Sequence, residues 1–296
     1  TYMKAAAVAE EVFDENPRHP GAAHYLIHAY DDPVHAPLGL RPARVYDSIA
    51  PSASHALHMP SHIYLALGLW EDVLAMNRRS YAAARAASDR RGEALNNHGW
   101  HALWWWHYSA TQLSDEALAD SLAAVAMSNA AHSQTSTATA HVTRIVAQHA
   151  LAFGDWGMIR HWPGPAETDG LSTRALDLHA RGLAALARGE GEEASEMLET
   201  LEEEIDGVPD PDDVSWYVRA AALGLSAAIH RHEGDTETAL TLLRQAAAME
   251  TEAPLTFGPP APTIPANEAL GALLLEMNRP DAAAEIAVDI LRLGGA

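Results

Sequence analysis

Four histidines repeat in phase along this chain. His24 and His28 in HPGAAHYLIHAYDDP are followed 34 residues later by His58 and His62 in HALHMPSHI. Within each pair the spacing is i, i+4, which sets both imidazoles on one face of a helix. A period of 34 is that of a stacked helix hairpin, and equivalent positions in neighbouring hairpins lie side by side, so the four rings are expected to converge. HxxxH on a helix is a common way to hold a transition metal, and Asp31, one turn beyond His28, adds a carboxylate. The expected metal ligands are His24, His28, His58 and His62, with Asp31 or Asp32 as a fifth ligand or as the group that orients an imidazole. The sequence has no cysteine, so thiolate ligation is ruled out. Nitrogen-rich ligation suits copper, iron or zinc and disfavours calcium and magnesium.

A second constellation follows in NNHGWHALWWWHYS. His98 and His101 are spaced i, i+3, with Trp100, Trp104, Trp105 and Trp106 around the same helix. Consecutive tryptophans cannot all face a core, so part of this set is expected to form an aromatic wall beside the metal. Tyr30, Trp105 and Trp106 are the expected substrate contacts, and His101 and Asp31 the expected catalytic groups. If His55 and His101 also bind, six imidazoles support two metals and oxygen chemistry. If only three or four bind and water keeps a position, hydrolysis is favoured.

The elements that must position these residues are helices. Alanine and leucine dominate the 296 residues, 48% of which are hydrophobic, while aromatic and β-branched runs are scarce, so the chain reads as all-α. Short helical stretches are punctuated by turns at GLWEDV (Gly68), QLSDEA (Gln112), GDWGMI (Gly154), GEGEEA (Gly189), GDTETA (Gly234) and NRPDAA (Asn278), at gaps of 35 to 45 residues. First helices of successive hairpins are expected at about 20–31, 60–67, 95–111, 138–153, 172–188, 213–233 and 265–277, and residues 3–15 form a second helix whose first helix would lie upstream of Thr1. DDPVHAPLGLRP reads as a turn-rich connector, with Pro33, Pro37 and Pro42 against a continuous helix. Pro60 falls in a first helical turn, which puts His58 at the helix entry and weakens its i, i+4 relation to His62. EAPLTFGPPAPTIP is an extended segment that is expected to fold across the mouth of the groove.

These repeats resemble the tetratricopeptide-repeat superfamily over nearly the whole length, with Pro17 and Pro51 where that repeat carries its closing proline. The resemblance implies a right-handed superhelical solenoid, here one helical-repeat domain over 1–296 with the histidine-bearing repeats at about 18–112 and the rest at about 113–296. It also implies that positions 2, 5, 9, 12 and 13 of each repeat face a concave groove. On that numbering His24 and His28 take positions 5 and 9, Asp31 and Asp32 positions 12 and 13, and His55, His58 and His62 positions 2, 5 and 9 of the next repeat. Trp106 takes position 9, His101 sits slightly off the groove face, and His141, His179 and Glu268 fall on groove positions of later repeats. His132, His149, His161, His230 and His232 share no phase and read as surface or packing residues. More narrowly, HPGAAHYLIHAYDDP, HALHMPSHI and FGPPAPTIPANEAL are similar to a His-rich bacterial subset of these proteins, which carries Lys and His where this chain has Ile264 and Asn267. That likeness implies a shared site around the four phased histidines and names no reaction.

Charge and motifs narrow the function further. A net charge of −21 opposes binding to nucleic acid or to an anionic membrane surface. No apolar run reaches the roughly 18 residues of a membrane span, and no signal peptide is visible, which suits a cytoplasmic protein. GxxxxGK[ST], GxGxxG, HExxH and GxSxG are all missing from the sequence. The leading expectation is a metal-dependent enzyme, oxygen-activating or hydrolytic, acting on a small organic substrate. The alternative is a scaffold whose groove clamps a peptide or protein partner, although such grooves offer Lys, Arg and Asn where this one offers His and Trp.

Overall fold

The structure, a computed structural model, describes residues 2–133, 135–254, 257–260 and 264–293. It is all-α, and there are no strands among the described residues. In chain order the first eight helices are α1 (Tyr2–Glu15), α2 (Pro20–Ala29), α3 (Ala36–Ile49), α4 (Ser54–His58), α5 (Pro60–Ala66), α6 (Trp70–Arg91), α7 (Asn97–Gln112) and α8 (Glu116–Ala130). The rest are α9 (Ser136–Phe153), α10 (Trp156–His161), α11 (Leu171–Ala187), α12 (Gly191–Asp206), α13 (Trp216–His232), α14 (Thr236–Glu252), α15 (Ala266–Glu276) and α16 (Pro280–Leu293). All seven expected first helices are present, as α2, α5, α7, α9, α11, α13 and α15. Packing divides the chain into two compact units. The first runs to His141 and includes Phe257–Pro259; the second starts at Val142.

The hairpin turns share one backbone device. Gly68, Ser114, Gly154, Gly189, Gly234 and Asn278 all have positive φ, between 55° and 88°. Each ends a first helix in the left-handed conformation, which glycine adopts freely and asparagine and serine at modest cost. In three turns the next residue is an aspartate that caps the second helix, Asp115 accepting from the Leu118 N–H, Asp155 from Gly157 and Asp235 from Thr238. Sequence punctuation of this kind, repeated six times, is what makes the hairpins legible.

The stretch expected as a connector, DDPVHAPLGLRP, is mostly helix instead. Pro37 lies in the first turn of α3, where it is tolerated, and Pro42 sits inside the helix. An interior proline costs about 3 kcal/mol in an isolated helix. Packing offsets this: Ala36, Pro42, Ala43 and Tyr46 are buried. Gly39 lets α5 approach so closely that a Cβ there would lie 2.4 Å from Ile63 Cδ1. This helix is thus the partner of α2 in its hairpin, and it contributes Tyr46 to the histidine site. No helix among the described residues is long and apolar enough to cross a membrane.

Candidate metal centre

His24 and His28 on α2, His55 and His58 on α4, His62 on α5 and His98 and His101 on α7 all lie in the first unit. On α2, His24 and His28 meet through their Nε2 atoms at 3.1 Å. The second pair keeps the same geometry despite Pro60. Met59, between α4 and α5, is itself helical (φ −52°, ψ −38°), and its N–H donates to the His55 carbonyl at 3.0 Å. The proline therefore removes one donor without unwinding the chain, and His58 Nε2 lies 3.1 Å from His62 Nε2. The expected weakening of this pair does not occur. His55 stands one turn before His58, and His98 and His101 project from α7 toward them.

The rings assemble as two triads. His24, His28 and His55 can place one nitrogen each within 4.8 Å of one another, and so can His58, His62 and His101. The grouping differs from the expected foursome: each i, i+4 pair gains a third imidazole, His55 from α4 for the first pair and His101 from α7 for the second. Ring centroids of His28 and His62 are 6.3 Å apart, and those of His55 and His58 6.5 Å apart, so the triads adjoin. The first triad is open, with His28 and His55 exposed; in the second, His58 is buried and the other two partly so. His98 packs on His55 at 5.3 Å, and His141 on His101 at 6.0 Å.

Hydrogen bonds around the inner triad fix its tautomers. Asn77 Nδ2 donates to the Val73 carbonyl and to Ser61 Oγ, so its Oδ1 faces His58 and must accept from His58 Nδ1–H at 2.7 Å. Asp31 Oδ2 likewise accepts from His62 Nδ1–H at 2.7 Å. Both imidazoles therefore present bare Nε2 lone pairs to each other across 3.1 Å. Two facing lone pairs repel unless a proton or a metal ion lies between them. Burial, and then the neighbouring His62 and His101, push His58 well below the ordinary imidazole range, which disfavours a proton on His58. Burial, then His141 and His62, takes His101 down to about 3; burial, then His24 and His98, takes His55 to about 4. Burial also lowers His24 and His28. Neutral imidazoles with oriented second nitrogens are the form that ligates metal.

The other expected site residues are dispersed. Asp31 is 7% exposed and serves as the orienting group of His62. Asp32 instead pairs with His35 Nδ1 at 2.7 Å, outside the cluster. Tyr30 points the other way, its Oη donating to Glu10 at 2.8 Å. Trp106, expected innermost, packs on Tyr81 of α6 at 5.9 Å. Its neighbour Trp105 takes that place, 1% exposed, with its rings 4.7 Å from both His58 and His62 and 5.6 Å from His101. The repeat register assigns the groove to position 9, but α7 is rotated so that the i, i+3, i+7 face of His98, His101 and Trp105 meets the histidines. Gly258 of the expected covering segment lies against this wall: a Cβ there (φ +106°) would fall 2.5 Å from Trp105 Cζ2. Residues 255, 256 and 261–263 of that segment are outside the described residues.

Two hydrogen-bond partners of the histidines escaped the sequence reading. Asn77 sits among Val73, Ser80 and Ala84 on the buried stripe of α6. A carboxamide there, at helical spacing within an otherwise apolar or small-residue face, was the available signal. Tyr46, whose Oη lies 3.0 Å from His24 Nδ1, was hidden by the misread connector.

No family model matches the sequence, and no curated protein does. Among solved structures the chain is similar to one described as the crystal structure of the APC/C hetero-tetramer Cut9-Hcn1, at 11% identity and a TM-score of 0.48. The match covers 99% of this chain and 50% of that one, so the chain spans about half the length of its structural neighbour. At this distance nothing passes from that protein to this one.

Proposed function

We propose that this protein is a metalloenzyme with a two-metal centre, one transition-metal ion held by His24, His28 and His55 and a second by His58, His62 and His101. The observation that carries the reading is the inner pair, whose Nε2 lone pairs face each other at 3.1 Å with both Nδ1 atoms committed to Asn77 and Asp31. The ligands are all imidazole, because Asp31 and Asp32 are each engaged by a histidine. Such a set suits copper, and zinc next, better than non-haem iron, which takes a carboxylate with two histidines. Two adjacent redox metals would supply oxygen activation, so the activity is oxidation of a small organic substrate. The chain's own part is to keep the imidazoles neutral and aimed, to present the open triad to solvent and substrate, and to seal the inner triad under Trp105.

The deciding experiment is elemental analysis of untagged protein, followed by dioxygen-uptake measurements on the metal-loaded form with small phenols and amines. About two equivalents of copper, and uptake lost in the His28→Ala/His62→Ala double variant, are expected. Two zinc ions with no uptake would shift the activity to hydrolysis. No retained metal would leave an interaction scaffold as the better account.

A further inference from the structure

The second unit contains a cavity of about 340 Å³, large enough for a small molecule and remote in sequence from the histidine centre. It lies on the faces of α11, α13 and α15. Its walls are mainly apolar, with Ala175, Leu183, Val218 and Leu273 among them, and Gly224 leaves space beside His179. The polar groups in the lining divide into satisfied and unsatisfied ones. Tyr217 Oη donates to Ser172 Oγ at 2.8 Å, and Arg231 pairs with Glu276 at 2.9 Å.

Two groups remain. His179 is 5% exposed, and its buried Nδ1 has no hydrogen-bond partner. A buried ring nitrogen without a partner is costly, and it is the ring's other nitrogen, Nε2, that borders the space at Gly224, 3.5 Å from where a Cβ would stand. Glu268 lines the same cavity and forms no ion pair among the described residues. Burial, and then the charge of Glu250, raise its carboxyl above the usual range, because its anion has no counter-charge in the cavity; a bound cation would supply one. Glu250 is itself held in place by the N–H and side-chain amide of Asn267, at 2.9 and 2.7 Å. The field of a chain with net charge −21 adds to the attraction for cations.

We propose that this cavity binds a small organic amine, its ammonium on the Glu268 carboxylate, its apolar body along the Ala175–Val218–Leu273 wall, and His179 as a hydrogen-bond partner. This site is independent of the metal centre. Calorimetric titration with n-hexylamine, n-hexanol and n-hexanoate tests it. The amine is expected to bind about tenfold or more tightly than either analogue, and Glu268→Gln to weaken it by about the same factor, as loss of a charged hydrogen bond requires. Gly224→Leu, which fills the space beside His179, should abolish binding. Retained far-UV helicity in Glu268→Gln shows that the variant is folded. The proposal is overturned if hexylamine does not bind, if hexanoate or hexanol binds equally well, if Glu268→Gln binds the amine as tightly as the parent, or if binding disappears instead in the His28→Ala/His62→Ala variant, which would place the amine on the metal.

Discussion

The two triads use the same residue type and nearly the same spacing, yet they are built differently. His24, His28 and His55 stand at the surface, and the one described hydrogen bond that orients a ring from behind is the Tyr46 hydroxyl on His24. His58, His62 and His101 lie inside, each outer nitrogen of the i, i+4 pair tied down by Asn77 or Asp31, with Trp105 over the top. Burial alone would make an ion there expensive, and burial with fixed tautomers makes it specific. On the proposed function, the contrast would separate a structural ion in the inner triad from an exchangeable, substrate-facing one in the outer.

The largest expected difference is therefore between His62→Ala and His28→Ala. Removing His62 takes away the inner ion and leaves Asp31 as a buried, unpaired charge, a loss of about 3 kcal/mol or more that a thermal melt would register. His28→Ala should remove the outer ion and the activity while staying within about 0.5 kcal/mol of the parent in the metal-free protein. Equal destabilisation by the two changes would erase the distinction.

Next in size is Asn77→Ala. It leaves all six imidazoles in place but frees the His58 tautomer, so inner-site affinity should fall roughly 10- to 100-fold, read by competition with a chelator, with stoichiometry unchanged. Unaltered affinity would show that the carboxamide merely fills space.

Acid should expose the triads in a third way. His55 and His101 titrate near 4 and 3 in the folded chain, against the ordinary 6.5. Their folded-state values are depressed, so from pH 6.5 downward the unfolded chain takes up protons that the folded one does not, and stability falls with pH until about 4 to 3. Bound metal should steepen this loss, because protons compete for its ligands. His179 in the second unit, lowered to about 4 by burial, contributes a part that metal does not alter. A metal-free melting temperature that is flat between pH 6.5 and 4.5 would contradict this.

The smallest effects concern the wall. Gly258→Val cannot keep its contact with Trp105 and should change turnover several-fold while both ions stay bound. Trp106→Ala, which removes a contact with Tyr81, should cost about 1 kcal/mol of stability and leave turnover per folded molecule unchanged. The reverse outcome would restore Trp106 to the site.

Much of this was legible in the residues. The 34-residue phase of His24/His28 and His58/His62 marked two neighbouring pairs, since period and helix face are both fixed by sequence, and the structure sets the pairs side by side. The turn residues marked the hairpins because a positive φ needs glycine, asparagine or a tolerated serine. The division into triads was not legible: it depends on how α7 is rotated against α5, which is set by packing rather than by period. That rotation exchanged Trp105 for Trp106. Pro42 misled for a related reason, since the local penalty was read and the burial of α3 against Ile63 could not be.

The central claim is that each triad binds its own ion. Anaerobic titration of metal-free protein with copper(I) against a chromogenic chelator counts the ions directly. About two equivalents are expected for the parent and about one each for His28→Ala and His62→Ala, with the ion surviving in His28→Ala the tighter of the two. A parent that binds no ion, or a count that neither substitution changes, would contradict the account.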